Sequence, residues 1–280
     1  MTTFEAGWGP HVIPSGVRDL QRFKNLASLG SPFTFIRFSD GEIEILRNRK
    51  LIIAGGITEF RGMSFSNQFP DFDQKRFDPR NGQDIRRDLL ASAIFCGQNY
   101  FKGIPARHNR ALNDREFMLR LNGGFTSQMT FSDLFLNSNF LSAREIFFPH
   151  LVSSFQDLLV VGNWRCELKG YLRKGRLVEI PDDFFSSYHQ TLDAVEAELH
   201  DAPKAALILS SASSLSNVLG HRLRISRPDL TFLDIGTVLN DFMGLPLGTR
   251  VYHKLVNPRS LRDHFAAWRY RMNKEYQLQW

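Results

Sequence analysis

Four apolar runs in this chain end in the same way, and this constrains the fold more than any other feature. Phe33 to Phe38 stops at Ser39-Asp40-Gly41, and Asp157-Leu-Leu-Val-Val-Gly162 stops at Gly162-Asn163. Ala205 to Leu209 stops at Ser210-Ser211, and Leu230 to Leu233 stops at Asp234-Ile-Gly236. Each run has the length of a buried strand. Further strands are expected over Leu51–Ala54, Asn99–Ile104, Gln128–Phe131 and Arg176–Pro181. Segments with apolar residues at helical spacing lie between them, over 16–28, 83–96, 113–121, 132–148, 188–200 and 212–223. Strands alternating with helices predict an α/β fold, a mainly parallel, Rossmann-like sheet with helices on both faces. In such sheets ligands bind beyond the carboxyl ends of the strands. Asp40, Asn163, Ser210, Ser211 and Asp234 are therefore expected along one edge.

The residue types at these ends suit a phosphate-bearing ligand. Asp40 and Glu42, just past the first strand, can hold a hard divalent cation. Arg37 can grip a phosphate by two parallel hydrogen bonds. Ser210, Ser211, Ser213 and Ser214 open a helix, where hydroxyls and free N–H groups suit a phosphate or ribose. Asp234, followed by Gly236, can accept from a ribose or base. Each feature also has a structural reading. Ser-Asp-Gly is a common turn and helix start, the serines serve as helix caps, and Asp234 can cap the turn at Gly236.

Arg37-Phe38-Ser39-Asp40-Gly41-Glu42 resembles the RF-x-DGE signature of the GT-D-type glycosyltransferases, bacterial enzymes that act on nucleotide sugars. Ser39 stands where glycine is more usual. The serine loop, the helix after it and the closing Asp234-Ile235-Gly236 follow in the order of that family's late strand, small-residue loop, helix and D-[IL]-G-like strand end. The resemblance implies a metal-dependent glycosyltransferase of hexosyltransferase type. It carries Asp40 and Glu42 over as metal or metal-diphosphate residues, with Mn²⁺ or Mg²⁺ as the ion. It implies a nucleotide-sugar donor such as a UDP-sugar and a glycan, glycoprotein or lipid-linked acceptor, in polysaccharide biosynthesis. Arg37 is then expected beside the donor phosphates, with Asn163, the serines, Asp234 and Gly236 around the nucleotide. A transferase also needs a base for the acceptor hydroxyl. His108, His189 and Asp183 are candidates, and nothing in the sequence ranks them.

Two other functions fit the same residues. One is a metal-dependent phosphohydrolase or phosphotransferase at Asp40; the other is a non-catalytic binder of an anionic polymer. A net charge of +6 and a pI near 9.5 suit an anionic partner of any kind. Zinc-finger spacing and ribonucleoprotein aromatic motifs are missing from the sequence, so nucleic acid is not expected. No apolar run approaches the ~20 residues needed to span a bilayer. Met1 to Pro14 lacks the basic head and apolar core of a secretory signal, so a cytoplasmic protein is expected. Cys96 and Cys166 are far apart and read as packed thiols.

Residues 1–250 read as one catalytic domain. Within it, 59–81 reads as a long loop with Phe60, Phe65, Phe69, Phe72 and Phe77, either a lid or acceptor loop or an anchored surface loop. Residues 251–280 read as a basic aromatic extension, with six Lys or Arg against two acids. Leu261, Phe265, Trp268 and Met272 fall near helical spacing. Such a stripe either packs on its own domain or lies on an anionic membrane, which would place the protein peripherally at the inner face.

Overall fold

The structure, a computed structural model, describes residues 16–66, 72, 74–105, 112–136, 139–247, 251–256 and 260–272. Its frame is a seven-stranded sheet in which every pairing is parallel. The strands are β1 (Thr34–Arg37), β6 (Tyr100–Ile104), β7 (Met129–Phe131), β8 (Leu158–Asn163), β9 (Arg176–Ile180), β10 (Leu207–Ser210) and β11 (Thr231–Asp234). Their order is β7-β6-β1-β11-β10-β8-β9. The apolar runs are continuous because both faces of the sheet are covered. Alternate residues feed two cores. Ile36, Phe38, Leu159, Val161, Ile208 and Phe232 pack on one side. Phe33, Phe35, Leu158, Val160, Leu207, Leu209 and Leu233 pack on the other.

The first core lies under α3 (Gln83–Ile94), α7 (Tyr188–His200) and α8 (Ser214–Ser226). Helix α8 sits tight on the sheet at Gly220, where a Cβ would come within 2.7 Å of Ile36. The second core lies under α1 (Gly16–Ser28) and the helix of 140–153, which runs α5 (Phe140–Ser142), a π-helical stretch (Ala143–Phe147) and α6 (Phe148–Ser153). Phe23, Phe33, Phe35, Phe101, Phe135, Phe147 and Phe148 fill it, with ring centroids 4.9–6.3 Å apart in their contacting pairs. The sequence suggests that this helix starts at Ser132. Instead β7 is followed by turns, and the helix begins at Phe140.

Segment 59–81 is more regular than its composition suggests. After α2 (Asp40–Leu46) the chain forms an antiparallel sheet in the order β4-β3-β2-β5. Its strands are β2 (Leu51–Ala54), β3 (Ile57–Phe60), β4 (Met63–Ser66) and β5 (Lys75–Phe77). Tight turns at Gly55-Gly56 and Arg61-Gly62, all with positive φ, close its hairpins. Strand β4 is exposed throughout, so it carries no apolar alternation for a sequence reading to detect. Phe69 lies outside the described residues, as do Arg107, His108 and the segments 1–15 and 273–280.

Candidate active site at the carboxyl edge

The route of the chain contains a switch of direction. After β8 it moves outward to β9, and after β10 it moves inward through α8 to β11. These departures in opposite directions make the β8–β10 pair a topological switch point, the kind of place where open α/β sheets bind ligands. Asn163 closes β8, and Ser210 closes β10 in register with Asp234 of β11. Arg37 closes β1, the next strand along. The edge predicted from the sequence therefore exists on four adjacent strands.

At its centre Arg37 Nη2 lies 3.1 Å from Asp234 Oδ1, and Nη1 donates to the Ser132 carbonyl at 3.3 Å. Asp234 Oδ1 also accepts from the Gly236 N–H at 3.0 Å. Burial raises the Asp234 carboxyl above its ordinary range, with Arg37 opposing and Glu42 adding to the rise. For Arg37, burial works against the charge, but Asp234 and then Glu42 outweigh it and the guanidinium pKa is raised. Gly236, at φ +51°, lies so close that a Cβ there would come within 2.0 Å of Arg37 Nη2. Ser211 Oγ donates to the Gly236 carbonyl at 2.7 Å and locks the serine loop to this turn.

The two carboxylates of the DxE sequence point apart, as expected for positions two apart on a helix. Asp40 opens α2 and is exposed to solvent. Glu42 is buried: the Ser39 N–H donates to its Oε2 at 3.0 Å and Ser214 Oγ to its Oε1 at 3.1 Å. Glu42 thus caps α2 through its own side chain and ties it to the start of α8. For Glu42 the structure shows the cap reading.

The serines divide in the same way. Ser210 Oγ bonds to Ser216 Oγ at 2.8 Å inside the fold, so it faces away from the edge's solvent. Ser213 carries φ +50° and ψ −139°, a backbone conformation rare outside glycine. Its Oγ is buried without a hydrogen-bond partner, and so are Arg37 Nε and Asn217 Oδ1. Asn217 Nδ2 donates to the Arg37 carbonyl at 2.8 Å. Asn163 is held at its own end of the edge, donating to Asp182 at 2.8 Å and accepting from the Arg165 N–H at 3.0 Å.

Sequence reasoning misses Asn217, Ser216, Ser132 and Asp182. Asn217 alone leaves a signal, a fully buried amide beside the apolar stripe of Leu215, Val218 and Leu219 on α8. Of the base candidates, His189 is exposed and pairs with Asp84 at 3.0 Å, while Asp183 is held by Arg76 at 2.9 Å. Cys96 and Cys166 are free, and burial pushes the Cys166 thiol up to about 12, which makes it a poor nucleophile.

A divalent ion fits this edge in a limited way. Two carboxylates, Glu42 and Asp234, act on the Arg37 guanidinium, and Asp40 lies two residues before Glu42 at the start of α2. Among the described residues no three metal-binding side chains converge, and both Glu42 oxygens already accept hydrogen bonds. A small hard ion commonly takes one or two carboxylates and completes its shell from water and substrate phosphates. Of the two DxE carboxylates, Asp40 is the one exposed to solvent.

No family model matches the chain, and no curated protein matches it. Solved structures do. A structure described as a new glycosyltransferase (DUF1792) from Streptococcus sanguinis is similar at 15% identity and a TM-score of 0.50, covering 81% of this chain and 84% of that one. Another, of the highly conserved domain of unknown function 1792 and described as a distinct glycosyltransferase fold, gives 14% identity and a TM-score of 0.49, covering 82% and 87%. At the level of the fold, then, the resemblance read from the Arg37 to Glu42 string holds, and the chain has the α/β architecture of a described glycosyltransferase.

Proposed function

We propose that this protein is a glycosyltransferase whose carboxyl edge binds a nucleoside diphosphate sugar. The observation that carries this reading is the set of buried, unpartnered polar atoms at Arg37 Nε, Ser213 Oγ and Asn217 Oδ1 beside the opening of α8. Buried polar atoms are rarely left unpaired, and three on one edge mark a place where a ligand or its water completes the bonding. The 13-residue helix α8 points its N-terminus there and favours negative charge.

Each residue then has a role. The start of α8 and the serine loop receive the diphosphate. Arg37, held by Asp234 and backed by Gly236, supplies fixed positive charge to the leaving group. Asp40 is the exposed carboxylate for Mn²⁺ or Mg²⁺, which when bound would neutralise charge building on the phosphates. Glu42 fixes the angle between α2 and α8. Asn163, at the β8–β10 switch point, faces the nucleoside, for which UDP is the first candidate. The acceptor is a glycan, glycoprotein or lipid-linked saccharide, and the base that activates its hydroxyl is unassigned.

Calorimetric titration with UDP, GDP and CMP, with and without Mn²⁺, tests the reading. At least one nucleotide is expected to bind more tightly with the metal, and Asp40→Asn is expected to abolish that increment while leaving the melting temperature within about 2 °C. Metal-dependent binding of inorganic phosphate with no binding of any of the three nucleotides would instead favour the metal-dependent phosphohydrolase.

A further inference from the structure

The extension after residue 250 begins firmly attached. Tyr252 and His253, in a 3-10 turn (Val251–Leu255), are buried. The Tyr252 hydroxyl lies 3.1 Å from Thr237 Oγ, and its ring centroid is 5.0 Å from that of Phe140. Thr237 follows Gly236, so the anchor adjoins the candidate site. From this anchor rises α9 (Leu261–Met272). Leu261, Phe265 and Trp268 form one stripe at positions i, i+4 and i+7, and they are 88%, 62% and 57% exposed. Among the described residues, packing on the domain, the ordinary fate of an amphipathic helix, therefore leaves this stripe largely exposed. The Phe265 and Trp268 rings sit 5.6 Å apart and present a joined aromatic face.

A single exposed apolar side chain needs no explanation, but a contiguous stripe rimmed by charge does. By sequence the extension is basic. Arg262 is exposed on α9, and Lys254 lies 3.8 Å from Asp263, one of only two acids between Val251 and Trp280. Six Lys or Arg fall in the same span. No helix among the described residues is long and apolar enough to cross a membrane. An aromatic stripe on a short basic helix matches an interface that is apolar just below a layer of negative charge.

We propose that α9 docks on an anionic phospholipid surface, with Leu261, Phe265 and Trp268 entering the headgroup boundary and Arg262 beside them meeting acidic lipids. Docking there holds the Gly236–Thr237 side of the edge at a membrane. This surface is independent of the sugar-transfer reading and can fail or stand without it.

Co-sedimentation of the full-length chain with phosphatidylglycerol-containing and with pure phosphatidylcholine vesicles tests the proposal. The expected result is binding to the anionic vesicles only, weakened about tenfold or more by Phe265→Ser with Trp268→Ser, and reduced by Arg262→Glu and by 0.5 M salt on the order of a Debye length of ~4 Å. Absence of binding by the wild-type chain overturns the proposal, as does equal binding by the double variant. A dimer that forms without vesicles and is dissolved by the double variant also overturns it, because the stripe's occupant is then a second copy of the chain.

Discussion

Arg37 is the residue on which the edge turns, and its environment is built to keep it still. Asp234 and the Ser132 carbonyl hold the guanidinium, and Gly236 leaves the space it fills. Gly236→Ala would add both a clash and a strained positive φ, so a loss of about 1–3 kcal/mol is expected in denaturant unfolding, with a matching loss of nucleotide affinity. Removal of the ion pair's carboxylate by Asp234→Asn should retain the turn bond to Gly236 yet loosen Arg37, lowering turnover more than stability. A second buried carboxylate, Glu44, gives a pH signature. Burial raises its pKa above 4.5, with Arg49, Arg61 and Arg47 opposing. A carboxyl raised by folding binds its proton more tightly in the folded state, so its contribution is full below the unfolded value and is lost as pH rises through the folded value. Thermal unfolding from pH 4 to 8 should therefore show Glu44→Gln gaining on the wild-type chain as pH rises. A constant difference would contradict the assignment.

At the scale of elements, ion pairs clamp the small sheet to its neighbours. Arg61, in the β3–β4 turn, reaches Asp114 of α4 (Leu112–Leu121), which Arg47 also holds at 2.9 Å. Arg76 of β5 pairs with Asp183 just before α7. Lys102 of β6 does a related job for helix ends. It is fully buried, and its ammonium donates to the Ala93 and Phe95 carbonyls at the end of α3 and to the Asn122 side chain after α4. Lys102→Met leaves those acceptors unpaired, and a loss of about 2–4 kcal/mol is expected by chemical denaturation. The long elements were legible because their period is strong: β1, β8, β10, α7 and α8 show it plainly. Of the small sheet only β2, mostly buried, was legible; β3, β4 and β5 are short and largely uncovered and leave too little pattern. Lys102 was equally silent, because a lysine in a strand reads as polar wherever its ammonium goes.

For the whole molecule, the order of strands determines what the sequence alone could only list. Asp40, Asn163, Ser210 and Asp234 read as separate strand ends, and the parallel sheet places their strands side by side. Which of them face a ligand depended on packing that no local pattern encodes. Glu42 and Ser210 turn inward, Asp40 stays outside, and Arg37 is committed to Asp234. The tail is the opposite case: its stripe was legible, but only the fold shows that Leu261, Phe265 and Trp268 stay exposed among the described residues. Sugar transfer from a nucleotide donor at this edge is read out by turnover. A panel of UDP-, GDP- and CMP-sugars is incubated with the protein and Mn²⁺, and nucleotide release is followed with and without acceptor glycans. The account predicts release from at least one donor, falling about 10²-fold or more in Asp40→Asn and in Arg37→Ala while both variants stay folded. Release at the wild-type rate by the Asp40→Asn variant, or inorganic phosphate as the product instead of nucleotide, would contradict it.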